Sequence, residues 1–192
     1  MTYQDLIKNI RDLGFSDDAE IDDFGELIFN GINRAITEIN YEVAPIIERY
    51  EFDITEDDTG FLYIEMPDVD DNYMSLTDTP VQIQKGDTEM YVRFNDFEIE
   101  AQDTIIIDQD NISGTFRIFY KAAHTPYDGS QLLEELPLPK KVHHLVQLLA
   151  SYYIWLEDEP VKAAQYYNLY EQKKADFTVD AKPRMRVLPG GI

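Results

Sequence analysis

The first fifty residues carry apolar side chains at the spacing of two amphipathic helices. Thr2 is suited to cap the first helix, with Asp5 three residues later as a variant capping box, and Gly14 is placed to end it. We expect Pro45 to end or kink the second helix. The two predicted stripes are Tyr3, Leu6, Ile7, Ile10 and Leu13, and then Phe24, Leu27, Ile28, Ile32, Ala35, Ile36, Ile39 and Val43.

From Tyr50 the apolar positions alternate with polar ones, which is the period of β-strands. Lys85-Gly86-Asp87 has the composition of a hairpin turn between two of these segments. The remaining turns are rich in Asp, Asn and Gly. The pattern predicts a small antiparallel β domain, either a sandwich or a barrel. Its strands are predicted at 50–54, 61–66, 81–84, 90–94, 97–100, 104–107 and 115–120.

Helical spacing returns after a loop at 124–129. Pro137 and Pro139 fix the start of a third helix, and the corner Glu157-Asp158-Glu159-Pro160 starts a fourth. Because that corner is short, the last two helices are predicted to be antiparallel neighbours. The prolines and glycines after residue 180 predict an extended end to the chain.

The order of these elements predicts an α+β fold. We expect a four-helix-bundle-like domain formed by residues 1–50 and 125–180. A small antiparallel β domain, residues 51–124, is predicted to be inserted into it. Residues 181–192 are predicted to form an extended C-terminal tail.

Charge is distributed unevenly along a chain whose net charge is −22. Residues 51–110 hold 18 acidic and 2 basic side chains, whereas residues 111–192 hold 9 acidic and 10 basic ones. Such a field repels nucleic acid and anionic membranes and favours basic partners. The chain has no cysteine, which excludes disulfides and thiolate sites. Without an apolar run of membrane-spanning length or a signal-peptide pattern, we expect the protein to be made and kept in a cytoplasm.

Two acidic segments partly resemble calcium loops. The segment that starts at Asp68 has Tyr73 and Thr79 where the EF-hand pattern needs Gly and Glu. The segment that starts at Asp108 fails in the same way, with Ser113 and Phe119. We therefore interpret both as acidic turns between strands, with a weak cation site as the alternative.

The three histidines do not have metal-ligand spacing. His143 and His144 are adjacent, so on a helix they point about 100° apart, and we expect one to face the core and the other solvent. His124 stands alone in a loop. No phosphate-binding loop or nucleophile motif is present, so we expect no catalytic, cofactor-binding or metal-binding residue and no enzymatic activity.

Two segments are candidates for contacts with other proteins. Tyrosine and tryptophan on the last two helices are too numerous for one interior, and we predict that Tyr153, Trp155, Tyr166 and Tyr170 lie at a subunit interface. The tail combines basic and apolar residues, and we expect it to become ordered on a partner. Its predicted docking residues are Lys182, Arg184, Arg186, Val187, Leu188 and Ile192.

The helical segments resemble those of head–tail connector (adaptor) proteins of tailed double-stranded DNA phages. The resemblance is carried by the opening Met1-Thr2-Tyr3-Gln4-Asp5-Leu6-Ile7, by Asn33-Arg34-Ala35, and by two late segments. These are Leu148-Leu149-Ala150-Ser151-Tyr152-Tyr153-Ile154-Trp155-Leu156 and Ala163-Ala164-Gln165-Tyr166-Tyr167-Asn168-Leu169-Tyr170-Glu171. The β segment departs from the simplest all-helical adaptors.

The resemblance implies a structural virion protein, assembled in the host cytoplasm and located at the head–tail interface. Such proteins form a ring, typically of twelve copies, on the portal protein. They extend the DNA channel and dock the tail or the next connector ring. DNA passes through the lumen without specific binding, no membrane is involved, and the portal contact would fall on residues 182–192.

Two alternatives remain open from the sequence. One is a tail-completion or baseplate adaptor. The other is a carbohydrate- or protein-binding module in which Tyr63, Tyr73 and Tyr91 of the β domain form an aromatic platform.

Overall fold

The structure is a computed structural model that describes residues 1–14, 25–84, 86 and 88–180. Helix accounts for about 41% and strand for about 29% of these residues, so the fold is a mixture of both. The chain divides into two compact units, which we describe separately. A helical unit comprises Met1–Ala44 and Pro126–Ile192, and a β unit comprises Pro45–Thr125.

Four of the five described α-helices belong to the helical unit. They are α1 (Tyr3–Gly14), α2 (Gly25–Glu42), α4 (His143–Trp155) and α5 (Pro160–Asp180), and a 3₁₀ turn at Lys140–Val142 precedes α4. The predicted capping box is confirmed, because the Thr2 amide donates to Asp5 Oδ2 and the Asp5 amide donates to Thr2 Oγ1, each at 3.1 Å. The start of the last helix at Pro160 is also as predicted.

The β unit contains seven described strands and the short helix α3 (Met66–Val69). The strands are β1 (Ile46–Ile54), β2 (Phe61–Glu65), β3 (Tyr73–Gln84), β4 (Tyr91–Arg93), β5 (Glu98–Glu100), β6 (Thr104–Asp108) and β7 (Gly114–Ala122). They form two antiparallel sheets, one of four strands in the order β1-β7-β3-β4 and one of three in the order β2-β6-β5. The predicted hairpin is present, since β4 pairs with the end of β3.

The core of the β unit comes from alternate residues of both sheets. Along β7 every second side chain from Phe116 to Ala122 is buried. In the other sheet, Ile105 and Ile107 of β6 are fully buried. Each sheet therefore has one apolar face, as period-two patterning requires.

The predicted four-helix bundle with a small inserted β domain was wrong. A bundle needs each helix to turn one apolar stripe toward a shared core. Instead, α4 is the central helix and packs against α1, α2 and α5. Its buried residues, which include Leu145, Val146, Ser151 and Trp155, lie around most of its circumference. Two strands also begin several residues earlier than predicted, β1 at Ile46 and β3 at Tyr73.

Close packing around α4 depends on a glycine of α2. A Cβ added at Gly31 would lie 2.9 Å from Ile154 Cγ1 and 3.1 Å from the carbonyl oxygen of Ala150. These distances are shorter than ordinary van der Waals contact, so the two helix backbones approach more closely than a larger residue would permit. Glycine at position 31 is therefore required by the packing between the two helices and not by its backbone dihedral angles.

Candidate interaction surfaces

A group of polar and aromatic side chains joins α2, α4 and α5. The Tyr153 hydroxyl donates a hydrogen bond to Glu38 Oε2, and the Arg34 guanidinium lies 4.1 Å from the centre of the Tyr153 ring. Burial raises the pKa of Tyr153, and the hydrogen bond to Glu38 raises it further. The phenol is therefore protonated at neutral pH and acts as a donor that fastens α4 to α2.

Lys174 extends this cluster onto α5. Its Nζ donates to Glu42 Oε2 at 2.6 Å and lies 5.4 Å from the centre of the Tyr170 ring. Burial acts to lower the pKa of Lys174, but the bond to Glu42 and the neighbouring Tyr170 and Glu171 outweigh it, so the pKa is raised. The lysine thus remains charged and ties the end of α5 to the end of α2.

Aromatic rings continue the contact between α4 and α5. The ring centres of Tyr152 and Tyr167 are 4.9 Å apart, and those of Tyr167 and Tyr170 are 6.0 Å apart. Tyr170 itself is fully buried, and burial raises its pKa to about 12, against an opposing effect of Lys174. These rings therefore contribute to the packing of the single chain.

The four residues predicted at a subunit interface have different environments. Trp155 and Tyr170 are buried within the helical unit, so neither ring presents a surface to a second copy. Tyr153 and Tyr166 are half-buried, and the Tyr166 hydroxyl donates to the carbonyl of Leu13 at 2.6 Å. A subunit contact through Tyr153 and Tyr166 stays a prediction.

The outer side of α5 carries a surface without charged groups. Six exposed residues lie within about 140° of the helix circumference over more than three turns. Val161 is 78% exposed and Leu169 is 45% exposed, although both are apolar. We name this surface the uncharged face of α5; it consists of Val161, Ala164, Gln165, Asn168, Leu169 and Gln172.

The segment Asn33-Arg34-Ala35, which carries part of the resemblance, has a packing role at every position. Asn33 Nδ2 donates to the carbonyl of Tyr127 at 3.0 Å, and the Tyr127 amide donates back to Asn33 Oδ1 at 2.7 Å. Arg34 lies over the ring of Tyr153, and Ala35 is fully buried. The Asn33 bonds anchor the loop at Tyr127 to the middle of α2. The Arg34 contact joins α2 to α4.

The first calcium-like segment begins in α3 and continues into a turn, and the second forms the turn after β6. Asp70 accepts from the Asn72 amide and the Tyr120 hydroxyl, both at 2.8 Å. Asp108 Oδ1 accepts from the Asp110 amide, while Asp110 Oδ1 accepts from the Gly60 amide. No group of three or more potential ligands is assembled for a metal ion within the described ranges. The interpretation as acidic turns is consistent with this geometry.

The histidines have the environments that the sequence predicted. His143 is buried, with Nε2 2.8 Å from the carbonyl oxygen of Leu138, whereas His144 is exposed. Burial lowers the pKa of His143 and of His124, so both rings are neutral at physiological pH.

The predicted aromatic platform of the β unit is distributed over both sheets. Tyr63 lies on β2 of the three-stranded sheet, whereas Tyr73 and Tyr91 lie on β3 and β4 of the four-stranded sheet. Tyr73 donates to the carbonyl of Gln102, and the Tyr91 ring is covered by Arg117 at 3.4 Å. Tyr73 and Tyr91 therefore have separate partners, and Tyr63 is exposed on the other sheet.

The predicted docking residues from Lys182 to Ile192 lie outside the described residues. Sequence reasoning also missed residues within the described part of the chain. The contacts of Glu38, Glu42 and Lys174 were not predicted. The four-residue spacing of Arg34 and Glu38 on one helix face was the available signal, but their aromatic partner on α4 is distant in sequence.

Neither a scan against models of protein families nor a search of curated proteins finds a match for the chain. Among the helices of the described residues, none is both long and apolar enough to cross a membrane.

Proposed function

We propose that the chain is a structural subunit of a head–tail connector ring in a tailed double-stranded DNA phage. In this role it joins the capsid portal to the tail or to the next ring and extends the DNA channel. The proposal rests on the resemblance of the helical segments. The observation that supports contact between copies of the chain is the uncharged face of α5.

Electrostatics make that face the favourable place for contact between copies. Each chain carries a net charge of −22, so two copies repel one another over most of their surface. None of the six side chains that would make this contact is a carboxylate. Apolar burial there adds roughly 25 cal/mol for each Å² removed from water. The two exposed apolar side chains supply part of that area.

The acidic character also suits a channel through which DNA must move. Phosphate contacts by Lys and Arg supply most of the non-specific affinity of proteins for DNA. A wall rich in carboxylates lacks these contacts and repels the backbone. DNA would thus pass through the lumen without being held. In the proposed virion location, residues 182–192 contact the portal, as the resemblance implies.

Self-association is tested by sedimentation at low and high salt. Screening of the repulsion at about 1 M salt, where the Debye length is roughly 3 Å, is expected to produce oligomers of the wild-type chain. Val161→Glu places a charge within the contact and is expected to keep the chain monomeric. Leu133→Glu is the matched control, because Leu133 is 79% exposed and lies outside α5.

A chain that stays monomeric at every salt concentration would contradict the proposed contact, as would equal oligomerisation of the two variants. The location is tested separately by electron microscopy of the phage particle that carries the protein. A ring of this chain between the portal and the tail is the expected density. Its absence from the purified particle would refute the connector role, whatever the sedimentation result.

A further inference from the structure

The outer face of the three-stranded sheet is exposed, aromatic and acidic. Directly opposed residues of antiparallel strands share a face, and alternate residues along a strand share one too. The pairing Phe61–Asp108, Tyr63–Ile106 and Glu98–Ile106 therefore places these five side chains on one face. The next row, Glu65–Thr104–Glu100, continues it. The buried Ile105 and Ile107 point to the opposite side.

Apolar and acidic groups are combined on this outer face. Phe61 is 62% exposed and Tyr63 is 59% exposed, so two aromatic rings stand in solvent at its centre. All four charged residues of the three strands are acidic: Glu65, Glu98, Glu100 and Asp108. None of the ion pairs formed within the described ranges involves them. Among the described residues, the carboxylates of this face therefore have no ion-pair partner, and its two rings are exposed.

The sequence of this chain contains a segment of the complementary kind. Lys182, Arg184 and Arg186 occupy every second position, with Met185 and Val187 beside the last two. Guanidinium and ammonium groups bind both carboxylates and the faces of aromatic rings. Alternate positions are also those that face one side of a strand-like bound segment. This segment therefore offers three cations on one side, which can contact both the acidic residues and the faces of the rings.

We propose that the outer face of the three-stranded sheet binds the basic segment Lys182–Leu188 of this chain. The contact goes beyond the connector role, because it joins two parts of the same polypeptide and requires neither a portal nor DNA. In the free protein it covers the exposed rings and neutralises part of the acidic surface. A portal that binds the tail must then compete with this contact.

A labelled peptide with the sequence of residues 181–192 tests the contact. The binding partner is the full-length chain with Lys182→Ser, Arg184→Ser and Arg186→Ser, so that its own tail does not compete. Binding is measured by fluorescence anisotropy. We expect saturable binding at about 20 mM salt that weakens as salt screens the charges. A peptide in which the three cations are replaced by glutamate is expected not to bind.

Substitutions in the face identify where the peptide binds. Phe61→Ala with Tyr63→Ala removes two cation–π partners and is expected to weaken binding by about tenfold. Glu98→Gln with Glu100→Gln preserves side-chain shape and is expected to weaken it by about fivefold at low salt. Circular dichroism would show whether the alanine variant unfolds. If it does, the glutamine variant still tests the contact.

Matched controls alter equivalent groups in the helical unit. Glu157→Gln with Asp158→Asn removes the same number of exposed charges, and Tyr41→Ala removes a ring that is 78% exposed. Neither is expected to change the affinity by more than twofold. Equal weakening by the two charge-neutralising pairs, or no binding of the peptide at low salt, would overturn the proposal. None of these substitutions lies on the uncharged face of α5. A failure of peptide binding would therefore not affect the sedimentation test of the ring.

Discussion

At the scale of single residues, most carboxylates of this acidic chain are solvated, but a few act as structural acceptors. Asp70 is the clearest case in the β unit, because its two oxygens accept hydrogen bonds from different elements. One bond closes the turn at Asn72, and the other holds the Tyr120 hydroxyl of β7. Burial and this bond raise the pKa of Tyr120, so the phenol stays a donor.

Replacement of Asp70 by alanine is expected to destabilise the fold by about 2 kcal/mol, because two donors lose a charged acceptor at once. The measurement is the free energy of unfolding from urea denaturation. Asp68→Ala serves as the control, since Asp68 is exposed and lies two residues away on α3. That change is expected to stay within about 0.5 kcal/mol. Equal effects of the two substitutions would show that Asp70 has no special structural role.

At the scale of elements, sequence periodicity predicted where helices and strands occur better than how they pack. The stripe of α2 is buried at Ile28, Ile32, Ile36 and Ile39, as predicted, because helical spacing directly identifies one apolar face. The spacing does not report how many neighbours a helix has. The central position of α4 was therefore missed, and with it the departure from a bundle.

Residues 73–80, the first two thirds of β3, were not predicted as strand. Only residues 81–84 were predicted as a strand, whereas β3 begins at Tyr73. Its pairing with β7 shifts register between Tyr73 and Ser75 and again between Leu76 and Val81. These irregularities break the alternation of apolar and polar side chains on which the prediction depends. The contacts of Glu38 and Lys174 were missed for another reason, since their partners are distant in sequence.

The close approach of α2 and α4 gives a prediction for Gly31→Ala. Alanine is favoured over glycine within a helix by about 1 kcal/mol, so propensity alone predicts stabilisation. The new Cβ, however, would meet both Ile154 and the backbone of Ala150, and overpacking of this kind costs about 1–3 kcal/mol. We expect net destabilisation, measured as a lower melting temperature.

Gly25→Ala is the control for this substitution. Gly25 begins the same helix, and a Cβ there meets nothing within 4 Å. This change is expected to leave the melting temperature equal or slightly higher. An increase in melting temperature for Gly31→Ala would mean that α2 and α4 separate without cost.

At the scale of the whole molecule, each unit accommodates its acidic charge through its own local interactions. The helical unit combines the ion pair of Lys174 and Glu42 with buried tyrosines that remain protonated. The β unit instead turns one apolar face of each sheet inward and leaves its carboxylates on turns and outer faces. Stability of the helical unit is consequently expected to depend on alkaline pH in a defined way.

Two fully or nearly fully buried tyrosines set the direction of that dependence. Burial, assisted by Glu134 and Tyr127, raises the pKa of Tyr3 to about 12, and burial raises that of Tyr170 to about 12. In the unfolded chain the pKa of a tyrosine is about 10. Below about pH 10 both states keep the proton and the full stability is present. Between about pH 10 and 12 only the unfolded state loses it, so the free energy of unfolding falls as pH rises.

The double variant Tyr3→Phe with Tyr170→Phe isolates this effect from the general repulsion that also grows with pH. We expect the wild-type urea midpoint to fall between about pH 10 and 12, and the fall to be shallower in the double variant. Tyr41→Phe, which alters a ring that is 78% exposed, is expected to retain the wild-type slope. Equal slopes for all three proteins would mean that the buried phenols do not hold their protons more tightly than the unfolded chain does. The alkaline loss of stability would then arise from the overall charge alone.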